Sequence, residues 1–247
     1  MVIGSEKMSI MLNVTQLSSL VLRDLRIMKL TWFQSIFAHI LTPFMFLVII
    51  YFSISDSSNI AYYFKGVLFI SIINASFSSS ANTLFLERFE RGIEVIYSSP
   101  ISPNIIILGY IIGSFFRMVI TVSITYCLGI MFNLVSYCYI VNIILCATVC
   151  CIFSSMLGIL TALVCNTFNA ISVVQTLLIS PLLIFSGALF EVSSNLWAYL
   201  NPFFYFFKLF QSDFLLKNNY ACVSMIINIL LFVVCRIKFS CRCIGSN

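Results

Sequence analysis

Apolar stretches of about twenty residues, parted by short polar interruptions, recur along the whole chain. Read as helices, they predict six spans at about residues 33–54, 61–84, 104–131, 140–164, 171–190 and 220–238, the last of them short. The long strict alternation that a lipid-facing barrel needs is absent, so the expected fold is an all-α membrane bundle. Residues 1–247 read as one transmembrane domain, with 1–32 cytosolic or interfacial. Within 191–218, Trp197, Tyr199, Phe203, Phe204, Tyr205, Phe206, Phe207 and Phe210 crowd around Asn201-Pro202. That segment is too interrupted to span cleanly, and its aromatics suit short interfacial or re-entrant helices on the outer side.

Two stretches break the apolar rule. Between Glu87 and Glu94, five of eight positions are charged: Glu87, Arg88, Glu90, Arg91 and Glu94. Wound as a helix over about residues 85–97, Glu87, Glu90, Arg91 and Glu94 share one side, and Phe85, Leu86, Phe89, Ile93 and Ile96 share the other. Such a helix lies on a membrane surface, apolar face down and charges toward a soluble partner. A solvated loop that merely separates two spans is the plainer alternative. Pro100 and Pro103 end it, since each lacks a donor and disfavours helical geometry before it. From Leu17 to Leu30 a second amphipathic segment sets Leu17, Leu20, Val21, Leu25, Ile27 and Met28 against Ser19, Arg23 and Arg26, and Asp24 falls within the apolar arc. Its basic face suits lipid headgroups.

Polar residues inside the spans are the remaining candidates. The second span carries Ser71, Asn74, Ser76, Ser78, Ser79, Ser80 and Asn82, a polar side that serves equally as glue between helices or as the lining of a wetted path. Arg117 lies deep in the third span, where an unpaired cation is costly, and marks either a functional or an assembly site. Gly109-x-x-x-Gly113 permits two helix backbones to approach closely, and Pro181 and Gly187 interrupt the fifth span. His39, the single histidine, reads as a hydrogen-bonded interfacial residue. The ten cysteines sit mostly within apolar runs, where they behave as small hydrophobes. Cys241-x-Cys243 has no nearby second pair, so no metal site is expected.

Composition agrees with this reading: 61% of residues are hydrophobic, 9% are charged and mean hydropathy is +1.09, far outside the range of soluble domains. The net charge of +5 reflects basic residues near span ends and gives no reason to expect nucleic acid. Placing both termini in the cytoplasm puts Lys7, Arg23, Arg26, Lys29, Arg88, Arg91, Arg236, Lys238 and Arg242 inside, against Lys65, Lys208 and Lys217 outside, as the positive-inside rule asks. The first ten residues lack the pattern of a cleaved signal peptide, and targeting falls to the first span. An intramembrane hydrolase or lipid transferase is disfavoured: there is no H-E-x-x-H, no G-x-S-x-G and no pair of carboxylates within the spans. No G-x-x-x-x-G-K-[ST] occurs, so the chain holds no P-loop for ATP and no cofactor of its own is expected.

Phe89-Glu90-Arg91-Gly92-Ile93-Glu94, Ser99-Pro100-Ile101-Ser102-Pro103 and Gly109-Tyr110, followed in order by Phe168-Asn169-Ala170-Ile171-Ser172, Ser180-Pro181, Ser186-Gly187-Ala188-Leu189-Phe190 and Leu200-Asn201-Pro202 with Tyr205, resemble the permeases of type-2 ABC transporters, and among them the small bacterial inner-membrane permeases. The likeness covers about residues 15–235 and departs at the truncated last span and the tail. It implies a permease subunit, paired with a second copy as a homodimer, in the inner or plasma membrane. The helix at 85–97 would dock on a separate ATPase that binds the ATP, through Glu87, Arg88, Glu90, Arg91, Gly92 and Glu94. The substrate, a lipid, glycan or drug-like amphiphile, would move outward, with Asn74, Arg117, Asn201, Pro202 and Tyr205 as candidates for the route or for assembly. A haem-export permease of cytochrome maturation and a non-transporting membrane scaffold are the competing readings.

Overall fold

The computed structural model describes residues 15–27, 29, 41–49, 52, 57–90, 101–132, 134, 140–190, 199–212 and 219–244. Every regular element among them is helical. They are α1 (15–27), α2 (41–49), α3 (Ser57–Phe89), α4 (Pro103–Met131), α5 (Ile140–Val164), α6 (Phe168–Ala188), α7 (Pro202–Gln211) and α8 (Asn219–Ile244). Five stretches are long and apolar enough to cross a membrane: Ala61–Phe89, Pro103–Met131, Ile143–Val164, Phe168–Ala188 and Asn219–Ser240. Helix α2 falls within the first predicted span, but 33–40 lie outside the described residues, and with them His39.

Helix α3 is the axis of the bundle. In its most apolar window 83% of residues are buried, against 17% in α6 and in α8, and it packs on α5, α4, α6 and α7. Phe69, Ile72, Ile73, Phe77 and Leu84 are fully enclosed. At 33 residues it is about 50 Å long, well beyond a hydrocarbon core of about 30 Å. The expected boundary between a second span and a separate surface helix at residues 84–85 is therefore absent. Neither proline nor glycine occurs from Val67 to Glu90, and Leu84 and Phe85 are still buried, so the helix runs on to Phe89 before Glu90 turns.

Pro103 opens α4 at a position where its missing N–H costs nothing, with Ser102 as N-cap. Thr167 caps α6, its hydroxyl accepting from the Ala170 N–H at 3.3 Å, so this helix starts three residues before its predicted position. Pro181 does not break α6. The helix widens to π geometry over Gln175–Ile179 and again over Ile184–Ala188, with the Ser180 N–H bonded to the Gln175 carbonyl. One residue before its end at Ala188 it kinks at Gly187, whose φ of 90° lies in the left-handed region that favours glycine.

Helix α7, within the aromatic segment expected to form interfacial or re-entrant helices, turns most of its rings into the bundle. Phe203, Phe206, Phe207 and Phe210 are buried, with Phe206 stacked on Phe153 of α5 at 4.3 Å and Phe207 against Phe69 of α3 at 5.4 Å. The ten-residue helix plugs one end of the bundle, where Lys65 donates to the Gln211 carbonyl at 3.3 Å. Helix α8 is not short. It covers 26 residues because Arg236 and Lys238 fall on exposed positions and do not interrupt it, while Cys235 and Phe239 remain buried.

Candidate functional site

The polar side of α3 divides into two. One part is glue: Ser80 donates to the Ser155 carbonyl of α5 at 2.9 Å, and Ser76 and Ser80 are enclosed. The other part opens into a cavity of about 630 Å³ between α3, α4 and α6, bounded also by Ile27, Thr42 and Pro43. Asn74, Ser78, Ser79, Asn82 and Thr83 of α3 face it, with Arg117 and Thr121 of α4 and Gln175, Thr176 and Ser180 of α6. Of the predicted route residues, Asn74 and Arg117 thus meet at one site.

Gln175 ties the walls together. Its amide nitrogen lies 3.4 Å from Asn74 Oδ1 and 3.2 Å from Ser78 Oγ, joining α6 to α3. The sequence does carry a signal for it: Ser172, Gln175, Thr176 and Ser180 recur at helical spacing in an apolar run, a polar stripe like that of α3. A π turn begins at this residue.

Asn201, Pro202 and Tyr205 do not line the cavity. Asn201 caps α7 by accepting from the Phe203 N–H at 3.0 Å and donates through Nδ2 to the Leu182 carbonyl at 2.7 Å, which fastens α7 to α6. Pro202 is the first residue of α7, and Tyr205 donates to the Tyr199 carbonyl at 3.0 Å. Their roles in the geometry are architectural.

Beside the cavity, α1 is latched to the end of α3. Arg23 Nη2 meets Glu87 Oε1 at 2.6 Å and Asp24 Oδ1 at 3.3 Å, and the Tyr110 hydroxyl of α4 donates to Glu87 Oε2. Gly109 and Gly113 make room for this docking: a Cβ on Gly109 would sit 3.2 Å from Leu20, and one on Gly113 would sit 2.3 Å from the Asp24 carboxylate. The G-x-x-x-G spacing therefore receives α1. Asp24, out of place in a lipid-facing arc, is 8% exposed, and burial pushes its carboxyl above the usual range against the opposing pull of Arg23 and Arg117.

This arrangement alters the expected surface of the charged segment. Glu87 is buried and paired, not displayed on an outward ridge. Arg88 donates to the Ala162 and Cys165 carbonyls and so satisfies the end of α5, the favourable place for a cation. Glu90 is exposed where α3 ends. Arg91, Gly92 and Glu94 lie outside the described residues.

Comparison with known proteins matches the chain to the family described as ABC-2 type transporter over residues 15–215. The inner membrane transport permease YadH of Escherichia coli is 25% identical over 181 residues, covering 68% of either chain, and its counterpart in Shigella flexneri matches equally. No solved structure matches. With the family match extending from α1 through α7, and so over the helices that build the cavity and the latch, the chain belongs to the ABC-2 type transporter family.

Proposed function

We propose that this chain is the membrane-spanning subunit of an ATP-binding cassette exporter, which moves an amphiphilic substrate outward while a separate ATPase subunit binds and hydrolyses ATP. The observation that carries the reading is the cavity itself, where hydroxyls, amides and one guanidinium gather around a shared space within an apolar-rich bundle. Polar side chains at such depth face a path or a partner, because lipid offers them nothing.

The coupling element is the charged segment of about residues 85–97. In this reading Glu90, Arg91 and Glu94 meet the ATPase, Gly92 allows close approach, and Glu87 and Arg88 hold the segment's base to α1, α4 and α5. Both termini lie in the cytoplasm of a bacterial inner or plasma membrane, and a second copy of the chain completes the route. The similarity to an inner membrane transport permease supports location and class. Closure of the ATPase would push on residues 90–97 and, through α3, reshape the cavity.

Substitution of Glu90 and Glu94 by Lys tests the proposal. The double variant should insert normally yet lose co-purification with the ATPase and lose ATP-dependent efflux. Undiminished ATP-dependent transport by that variant overturns the coupling role.

A further inference from the structure

We propose that the cavity binds the phosphate head of an amphiphile, with the anion against Arg117 and the head's hydroxyl or amine donors against the walls formed by α3 and α6. The proposal rests on the transport reading and names the substrate class for the same cavity.

Charge points to the anion. Among the described lining residues Arg117 is the one charged side chain, and no carboxylate accompanies it. Its guanidinium makes no hydrogen bond or ion pair among the described residues, although the Asp24 charge reaches it from α1. A guanidinium has five donors in a planar fork, a shape that matches phosphate oxygens two at a time. A neutral sugar or drug would leave this half-buried cation with only the unbonded charge of Asp24 to offset it, whereas an anion in the cavity could pair with it directly.

The hydroxyls specify the rest of the head. Ser71 donates to the Val67 carbonyl at 2.7 Å, Thr83 to Ser79 at 2.8 Å, Thr121 to Arg117 at 2.9 Å, Thr176 to Ser172 at 2.7 Å and Ser180 to Gln175 at 3.0 Å. Each hydroxyl proton is thereby occupied by its own helix, and what remains on each oxygen is acceptor capacity. These five hydroxyls thus accept where Arg117 donates, beside the amides of Asn74, Asn82 and Gln175, which can do either. A phosphate carrying glycerol, sugar or ethanolamine satisfies both, whereas a choline head brings no donor.

The rim argues for a tail. Ile27, Pro43, Leu86 and Phe168 bound the same space, and a volume of about 630 Å³ is that of a pocket for an organic ligand. An inorganic ion alone would leave most of it empty.

Equilibrium binding to the full chain in uncharged detergent decides the matter, with tail-labelled dioleoylphosphatidylglycerol as probe. Unlabelled phosphatidylglycerol should displace it at a concentration about tenfold below that needed of phosphatidylcholine or diacylglycerol, the equivalent of one charge-assisted bond. Arg117→Gln should remove the preference over diacylglycerol, the one competitor without a phosphate, and Arg117→Lys should keep part of it. Arg26→Gln, which removes an exposed charge on α1, should leave it intact. Thr83→Val should narrow the gap between phosphatidylglycerol and phosphatidylcholine.

Displacement by diacylglycerol or phosphatidylcholine equal to that by phosphatidylglycerol, or a preference over diacylglycerol that survives Arg117→Gln, overturns the proposal. Displacement by inorganic phosphate as effective as by the lipid overturns the amphiphile and leaves a soluble phosphate site. None of these measurements involves ATP, so failure here with Glu90 and Glu94 still required for transport would reject the head group alone. Loss of that requirement with the lipid preference intact would reject the coupling reading instead.

Discussion

Replacing Arg23 by Met removes the cation from the latch while keeping most of its apolar bulk. Two unit charges about 4 Å apart interact by about 4 kcal/mol at an effective dielectric of about 20. Glu87 approaches that regime, with 10% of its side chain exposed, whereas Arg23 at 33% is partly screened. The expected cost of Arg23→Met is therefore about 2–3 kcal/mol, because the Glu87 carboxylate stays buried with only the Tyr110 hydroxyl and with Asp24 nearby. Glu87→Gln should cost less, about 1 kcal/mol, since the amide oxygen still accepts from Tyr110 and Arg23 still has Asp24 at 3.3 Å. In the Glu87→Gln background, Arg23→Met should cost only about 1 kcal/mol, which gives a coupling of about 1.5 kcal/mol. Thermal unfolding of the four variants in detergent reads these differences, and the Arg23→Met midpoint should fall by about 5–10 °C. If the two substitutions prove additive to within about 0.5 kcal/mol, the contact contributes nothing and α1 is held by Leu20 and its apolar neighbours alone.

Two further outcomes follow from close geometry. Gly66→Ala would place a methyl 1.9 Å from the Ala188 carbonyl oxygen, a backbone atom that cannot swing aside, so α6 must separate from α3 at a cost of about 2–3 kcal/mol, read as a lowered midpoint and a more exposed Tyr62. Asp24 carries a carboxyl raised by burial, with Arg23 beside it and Arg117, Glu87 and Tyr110 within electrostatic reach. A raised carboxyl contributes stability that is complete below its ordinary value near 3.8 and lost as pH climbs through its folded value. The difference in midpoint between wild type and Asp24→Asn should therefore move in favour of the variant as pH rises from about 4 to 7; movement the other way would show that Arg23 and Arg117 outweigh burial.

Much of the bundle could be read from apolar runs, because a span must be long, continuous and nearly free of charge. Arg117 and Asn74 stood out for the same reason: a polar group in such a run demands an explanation. What the runs could not show was pairing. The charge pattern from Glu87 to Glu94 looked like one exposed face because a helical wheel treats a helix as isolated, whereas Glu87 sits where α1 and α4 converge on α3. Asp24 was the visible clue, a carboxylate on the wrong face, but its explanation required Gly113 on a helix almost ninety positions away. Gln175 left the same kind of clue, a polar residue beside Thr176 in an apolar run, but only the fold shows that it meets Asn74 and Ser78. The aromatic run from Phe203 to Phe210 hid its partners for a related reason: aromatics suit interfaces and cores alike, and only the fold shows Phe207 and Phe206 meeting Phe69 and Phe153 on other helices.

Latch and cavity occupy one stripe of α4. Tyr110, Gly113 and Arg117 recur at intervals of three and four, so the hydroxyl that binds Glu87, the glycine that receives Asp24 and the guanidinium that faces the cavity stack along a single face. Helix α1 lies over that face, with Asp24 acting electrostatically on both Arg23 and Arg117. A tilt of α1 that drew Arg23 from Glu87 would also carry Asp24 away from Arg117. The guanidinium would then hold a less compensated charge and attract an anion more strongly. Conversely, an anion in the cavity would compete with Asp24 for Arg117 and loosen the docking of α1. By linkage the two effects must be equal in free energy. A phosphate-headed ligand should therefore lower the stability gap between wild type and Arg23→Met, and a ligand that left that gap unchanged would show that cavity and latch are adjacent without being coupled.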